Sequence, residues 1–207
     1  MNDGKVCISV CAEFAEEFVE KTRRAAQIAD IVELRFDCLE NIKNEDLWSG
    51  LYSIYHESET PYLFTYRPKA EGGMRELTDA QRSDFWYDAV DIDHFIPWVD
   101  MEIDMIDNSP ICYFERLICS RHDFEKTPAN LEEIYDQSAA TFAGVIKIAV
   151  QADEITNCLP VWKLLQRAMS DGKEIIPIAM GEAGKWTRIL GLAHGSPLTY
   201  ASLEEGN

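Results

Sequence analysis

Basic residues are scarce in this chain. Nineteen Lys and Arg stand against 37 Asp and Glu, for a formal net charge of −18 over 207 residues. Phosphate backbones are bound by clustered Lys and Arg, so the balance argues against a nucleic-acid partner. The same shortage leaves no basic face for an anionic membrane. A small anionic substrate remains compatible, because it meets the local charge of a site and not the total. No apolar run is long enough to span a bilayer. The N-terminal MNDGKVCISV lacks the apolar stretch and cleavage site of a secretory leader, so a cytoplasmic protein is expected. The six cysteines, Cys7, Cys11, Cys38, Cys112, Cys119 and Cys158, form no Cys-x-x-Cys pair. Cys7 and Cys11 fall about 13 Å apart along an apparent strand, too far to share a zinc ion. All six are expected to be reduced thiols that act as small core residues.

What is present is enough for a core. A chain of this length buries roughly 70% of its unfolded surface, and the 46% hydrophobic content is too high for a disordered chain. Short β-rich runs alternate with helical patterns. The runs are Lys5 to Cys11, Ile31 to Phe36, Pro61 to Tyr66, Phe95 to Ile103, Glu115 to Ser120, Gly144 to Val150, Lys173 to Met180 and Pro197 onward. Helices are expected at Glu13–Gln27, Lys43–Ser58, from Thr78, at Asn130–Phe142, Asp153–Ser170 and Ala183–Ala193. Eight strands alternating with helices predict an α/β fold, a (β/α)8 TIM barrel, as one domain over residues 1–207. The chain is short for that fold. The connection from Asp104 to Phe114 has room for no more than a stub of helix, and the sequence stops at Asn207 without an eighth helix. An open doubly wound sheet is the alternative, but no Gly-x-Gly-x-x-Gly follows the first run.

Strands of a parallel barrel are buried on both faces and should be almost wholly apolar. Here ionisable residues interrupt them near their C-terminal ends. Residues two apart share a face, which pairs Glu33 with Arg35, Thr65 with Arg67, Asp100 with Glu102 and Ser120 with His122; Lys147 sits between Ile146 and Ile148. Each alone reads as a local ion pair. Five strands together point to the C-terminal mouth, where barrel enzymes keep their sites. Lys147 has no easy route to solvent. A lysine amine of ordinary pKa costs about 4.6 kcal/mol to neutralise at pH 7, a cost that burial and nearby cations reduce. A neutral buried amine suits Schiff-base chemistry on a ketone or aldehyde; pairing with Glu33, Asp100 or Glu102 is the alternative. His122 is the natural proton shuttle. His56, His94 and His194 read as surface or capping residues. MGEAGKWTR lacks the spacing of a phosphate-binding P-loop, so Gly181 and Gly184 read as shaping a loop ahead of a helix that carries Arg188.

Five blocks, IVELRFD from Ile31, TYRPKAEGG from Thr65, SRHDF from Ser120, GVIKIAV from Gly144 and MGEAGKWTR from Met180, occur in order. With them the chain resembles the type I 3-dehydroquinate dehydratases of the shikimate pathway, from Val6 almost to its end. The resemblance implies a (β/α)8 barrel that is usually a homodimer and uses no cofactor, metal or nucleotide. It implies dehydration of 3-dehydroquinate to 3-dehydroshikimate. In that reading Lys147 forms the imine, His122 is general acid and base, and Glu71 orients and tunes His122. Arg188 would hold the substrate carboxylate, with Ser9, Glu33, Arg35 and Arg67 lining the substrate. Thr187 replaces the serine common before that arginine. The family's lid and last helix would follow Asn207, so a truncated barrel is expected, or one fused to a shikimate dehydrogenase domain in a longer chain. A class I aldolase-like barrel and a lid-less binding domain are the competing readings.

Overall fold

The computed structural model describes residues 4–90, 97–108 and 116–204. All eight strands are present, numbered in chain order as β1 (Lys5–Val10), β2 (Ile31–Arg35), β3 (Tyr62–Thr65), β4 (Trp98–Glu102), β5 (Arg116–Asp123), β6 (Val145–Gln151), β7 (Glu174–Met180) and β8 (Leu198–Ser202), in the sheet order β7-β6-β5-β4-β3-β2-β1-β8. The fold class is (β/α)8, as the alternation of apolar runs leads one to expect. By their internal contacts the residues group into two compact units. The first comprises Val6–Asp100, Asp107–Glu115 and Tyr200–Asn207; the second comprises Met1–Lys5, Met101–Ile106 and Arg116–Thr199.

In the first unit β1 (Lys5–Val10), β2 (Ile31–Arg35), β3 (Tyr62–Thr65) and the start of β4 (Trp98–Glu102) pair in parallel. Helix α1 (Ala15–Ala26) has Glu16 and Glu17 in its first turn and Arg23 and Arg24 in its last, the placement that complements the helix dipole. It buries Phe18, Thr22 and Ala25, spaced four and three residues apart on one stripe. Helix α2 (Glu45–Ser58) starts at Asn44, whose Oδ1 accepts the N–H groups of Asp46 at 2.8 Å and Leu47 at 3.2 Å. Helix α3 (Asp79–Val90) starts at Thr78, whose hydroxyl accepts the Gln81 backbone N–H at 3.3 Å while the Gln81 side-chain Oε1 accepts the Thr78 N–H at 2.9 Å. The core centres on Phe36, fully buried, with its ring 5.0–6.0 Å from those of Phe18, Trp48, Phe64 and Phe85. Phe36→Ala is therefore expected to cost about 3–5 kcal/mol, read as a fall in urea midpoint at unchanged slope.

In the second unit β5 (Arg116–Asp123), β6 (Val145–Gln151) and β7 (Glu174–Met180) pair in parallel. Helices α4 (Leu131–Ala139), α5 (Cys158–Ser170) and α6 (Lys185–Ala193) accompany them; β8 (Leu198–Ser202) starts in this unit and continues from Tyr200 in the first. Ile146, Ile148 and Val150 pack with Val161, Leu164, Leu165 and Ala168 of α5. The alternation of a strand then turns Lys147 and Ala149 to the opposite face.

Several expectations are corrected. β5 runs on to Asp123, so His122 lies inside a strand and not just past one. A 3-10 turn at Ile155–Asn157 precedes α5, which starts at Cys158 and not near Asp153. Pro160 then falls in its first turn, where a missing N–H loses no helical bond. α4 stops at Ala139, and the Thr141 hydroxyl donates to the freed Ser138 carbonyl at 2.7 Å. Ile103–Asn108 is a 3-10 helix, in line with a short fourth connection; His94, Phe95, Cys112 and the rest of that connection lie outside the described residues.

The cysteines are corrected in part. Cys7, Cys119 and Cys158 are buried and outside any disulfide, as expected, but Cys11 and Cys38 form a disulfide with Cα atoms 5.5 Å apart. Val10 pairs with Leu34, so the residues leaving these two neighbouring strands emerge within bridging reach. No spacing motif signals this, because the contact is made by strand pairing. A bridge across 27 residues restricts the unfolded chain by about 3–4 kcal/mol. Among the described residues no helix is long and apolar enough to cross a membrane.

Candidate active site

In the first unit the registers Ser9↔Glu33, Arg35↔Thr65 and Thr65↔Asp100 place these residues on one face of the sheet. Glu33 is buried there. Its two carboxylate oxygens accept the hydroxyls of Ser9 and, at 2.8 Å, Thr65. The Arg67 guanidinium meets the Asp100 carboxylate at 2.7 Å, with both side chains nearly inaccessible. Tyr200 stands beside the same carboxylates. Burial, with Glu33 and Asp100 adding to it, pushes its phenol well above the ordinary value and keeps it a neutral donor. The sequence carries no signal for Tyr200, since one Tyr in PLTYAS reads as a plain strand residue.

Arg35 ends β2, and the chain then turns into the 3-10 helix Phe36–Cys38. That turn brings Asp37 back against Arg35, with Nε to Oδ1 and Nη2 to Oδ2 both at 2.8 Å. Such a fork is the strong, orienting form of a charged hydrogen bond. Burial by itself lowers the Arg35 pKa, but the Asp37 bonds and charge, with Glu33 behind them, outweigh it and leave the pKa raised. Asp37 is fully buried and also accepts the N–H groups of Arg67 at 3.4 Å and Met74 at 3.0 Å. It therefore ties the end of β2 to both ends of the Arg67–Met74 loop.

That loop carries Glu71. The N–H groups of Glu71 and Gly73 both donate to the Pro68 carbonyl at 3.0 Å, and Lys69 donates to Arg75 at 2.8 Å. A Cβ on residue 73 would lie 1.9 Å from the Arg67 carbonyl oxygen, so only glycine fits this fold of the chain. Glu71 is held buried as a result. Gly73→Ala is expected to displace Arg67 and Glu71 together and to lower kcat/KM by about 10²-fold. Circular dichroism should show the fold retained, and unchanged kinetics would contradict this role for the loop.

In the second unit Ser120 pairs with Lys147 and His122 with Ala149. Ser120, His122 and Lys147 thus share one sheet face, all three buried. His122 is one two-residue step further toward the strand end than Lys147, with Cα atoms roughly 8 Å apart. The face carries a primary amine and an imidazole within reach of one small molecule. The His122 ring lies near-parallel to that of Phe124, centroids 6.1 Å apart. Gly184 packs so closely that a Cβ would sit 2.1 Å from the Ala179 carbonyl oxygen. The buried Thr187 hydroxyl donates to the Gly184 carbonyl at 2.7 Å and accepts the Ala179 N–H at 3.1 Å. Thr187 thereby fixes the first turn of α6 on β7, and Arg188 with it. Arg188 is half-buried and has no carboxylate partner among the described residues. Burial alone lowers its pKa. It offers a cation that no carboxylate among the described residues matches.

The sequence pattern of type I 3-dehydroquinase matches residues 6–207. The chain belongs to the type I 3-dehydroquinase family. The 3-dehydroquinate dehydratase of Methanococcus maripaludis strain C5 is 32% identical over 208 residues, covering 96% of this chain and 89% of that protein. That of Methanocaldococcus jannaschii is 32% identical over 206 residues, covering 95% and 88%. The bifunctional 3-dehydroquinate dehydratase/shikimate dehydrogenase of Arabidopsis thaliana is 30% identical, over 98% of this chain and 34% of that protein. Among solved structures, 3-dehydroquinate dehydratase from Geobacillus kaustophilus superposes with a TM-score of 0.85 at 25% identity, covering 99% and 84%. The Aquifex aeolicus 3-dehydroquinate dehydratase gives 0.77 at 28% identity, covering 97% and 90%.

Proposed function

We infer that this chain is a hydro-lyase that dehydrates 3-dehydroquinate to 3-dehydroshikimate through a Schiff base. The observation that carries this reading is the family match across residues 6–207. In the reaction, Lys147 as free amine attacks the C3 ketone, and loss of water leaves an imine. The protonated imine draws electrons from C2. His122 takes the C2 proton, forming an enamine. The enamine pushes out the C1 hydroxyl, which His122 protonates as it leaves as water. Water then hydrolyses the imine, restoring the amine and releasing product. The shared face of His122 and Lys147 on neighbouring strands supports giving both roles to this pair.

Glu71 is proposed to orient and tune His122, and Arg188 to bind the substrate carboxylate. The half-buried guanidinium of Arg188, with no carboxylate partner among the described residues, supports that role. Ser9, Glu33, Arg35 and Arg67 are proposed to line the substrate. The bonds from Ser9 and Thr65 to Glu33 and from Asp37 to Arg35 hold these groups in fixed orientations. The substrate is a small molecule. We further propose one folding domain, a homodimer and a cytoplasmic location. The first expects one cooperative unfolding transition by all probes, and the second a mass of twice the chain by light scattering. Incubation with 3-dehydroquinate should generate the ultraviolet absorbance of a conjugated enone, with 3-dehydroshikimate seen by NMR. Retro-aldol cleavage products in place of 3-dehydroshikimate would overturn the reading.

A further inference from the structure

We propose that the Cys11–Cys38 disulfide is a thiol–disulfide exchange site through which a dithiol protein or small dithiol controls substrate affinity. The proposal rests on Arg35 being a substrate-binding residue.

Three observations meet at this bridge. It joins the residue after β1 to the last residue of the Phe36–Cys38 turn. Asp37, the residue that clamps Arg35 through two 2.8 Å bonds, is the immediate neighbour of Cys38. The turn itself is three residues long and closed by one backbone bond, Leu39 N–H to the Phe36 carbonyl at 3.2 Å. Single 3-10 turns have little stability of their own. With the bridge closed, the turn is anchored covalently at its C-terminal end. With the bridge open, Asp37 depends on that one bond and on the Arg67 and Met74 amides to keep its carboxylate under Arg35.

Access is asymmetric. Cys11 is half-buried and Cys38 buried, so an incoming thiolate reaches the Cys11 sulfur. It forms a mixed disulfide there, the Cys11–Cys38 bond breaks, and Cys38 leaves with the electron pair and takes a proton. The second thiolate of the dithiol then attacks its own sulfur in the mixed disulfide and releases Cys11, which is protonated in turn. Two electrons and two protons pass to the protein, and the dithiol becomes a disulfide. Cys7, Cys119 and Cys158 are buried and do not compete for the reagent. In a reducing compartment a bridge of this kind is held reversibly and not permanently.

The native protein is equilibrated in dithiothreitol buffers of graded oxidised-to-reduced ratio. Aliquots are alkylated and digested, and KM and kcat for 3-dehydroquinate are measured at each ratio. The oxidised sample should contain the Cys11 and Cys38 peptides as one cross-linked mass, which disappears on reduction. KM should rise roughly tenfold with the reduced fraction, the effect of one misplaced charged hydrogen bond. kcat should change less than about twofold, because the lost contact binds substrate and transition state alike. Cys11→Ser with Cys38→Ser should show the reduced KM in every buffer. Absence of the cross-linked peptide, or a KM equal in both states, would overturn the proposal. So would a loss of activity accompanied by loss of near-ultraviolet circular dichroism, which would make the bridge a structural staple only. Turnover and substrate trapping on Lys147 in the oxidised sample report on the proposed function separately from the ratio of KM values.

Discussion

His122→Ala is expected to lower kcat by about 10²–10⁴-fold, the usual contribution of a general acid–base group. Imine formation should survive in this variant. His122 lies on the same sheet face as Lys147, one two-residue step further toward the strand ends, so it serves the bonds at C2 and C1 and not the attack on C3. Substrate should therefore accumulate on the protein as a covalent adduct, visible as a mass increase in the intact chain without any reductant. Turnover close to that of the unsubstituted protein would place the base elsewhere.

The second large effect concerns the buried pair Arg67–Asp100, 2.7 Å apart with both side chains nearly inaccessible. Asp100→Ala leaves the Arg67 charge in the interior, and removal of one member of such a pair costs about 3–5 kcal/mol. Replacing both, as Arg67→Met with Asp100→Leu, removes the charges together and should restore most of the lost stability, because buried ion pairs are seldom net stabilising against apolar residues of similar volume. Turnover should not return with stability. A double variant that regained both in equal measure would mean that the pair is structural and not part of the substrate-binding face. Urea unfolding and steady-state kinetics on the three variants separate the cases.

Much of this arrangement was legible in the sequence. The eight apolar runs could be read because a parallel strand buried on both faces needs nearly unbroken Val, Ile and Leu. The odd residues could be read because Glu33, Asp100, His122 and Lys147 violate that need at great cost unless they have work to do. Alternation then grouped Glu33 with Arg35 and Ser120 with His122, and the strand registers carry the same groupings. Where alternation ends, so did the reading. Asp37 is two residues past Arg35, but the chain has left β2 for a 3-10 turn, and in that turn the carboxylate folds back onto the guanidinium. Cys11 and Cys38 meet only because β1 and β2 are neighbours in register, a contact that no local spacing encodes. Tyr200 acquires its meaning from Glu33 and Asp100, which lie 167 and 100 residues earlier. Thr187, which stands where the family commonly has serine, is the buried hydroxyl that pins α6 to β7.

The central claim is that Lys147, buried among Ile146, Ile148 and their neighbours on β6, is the amine that takes the substrate ketone. Borohydride reduction in the presence of 3-dehydroquinate, followed by digestion and peptide mass spectrometry, tests it most directly. The expected result is one modified peptide, the one containing Lys147, heavier by the reduced ligand, and no modification in Lys147→Ala. Modification at another lysine, or turnover by Lys147→Ala, would contradict the claim.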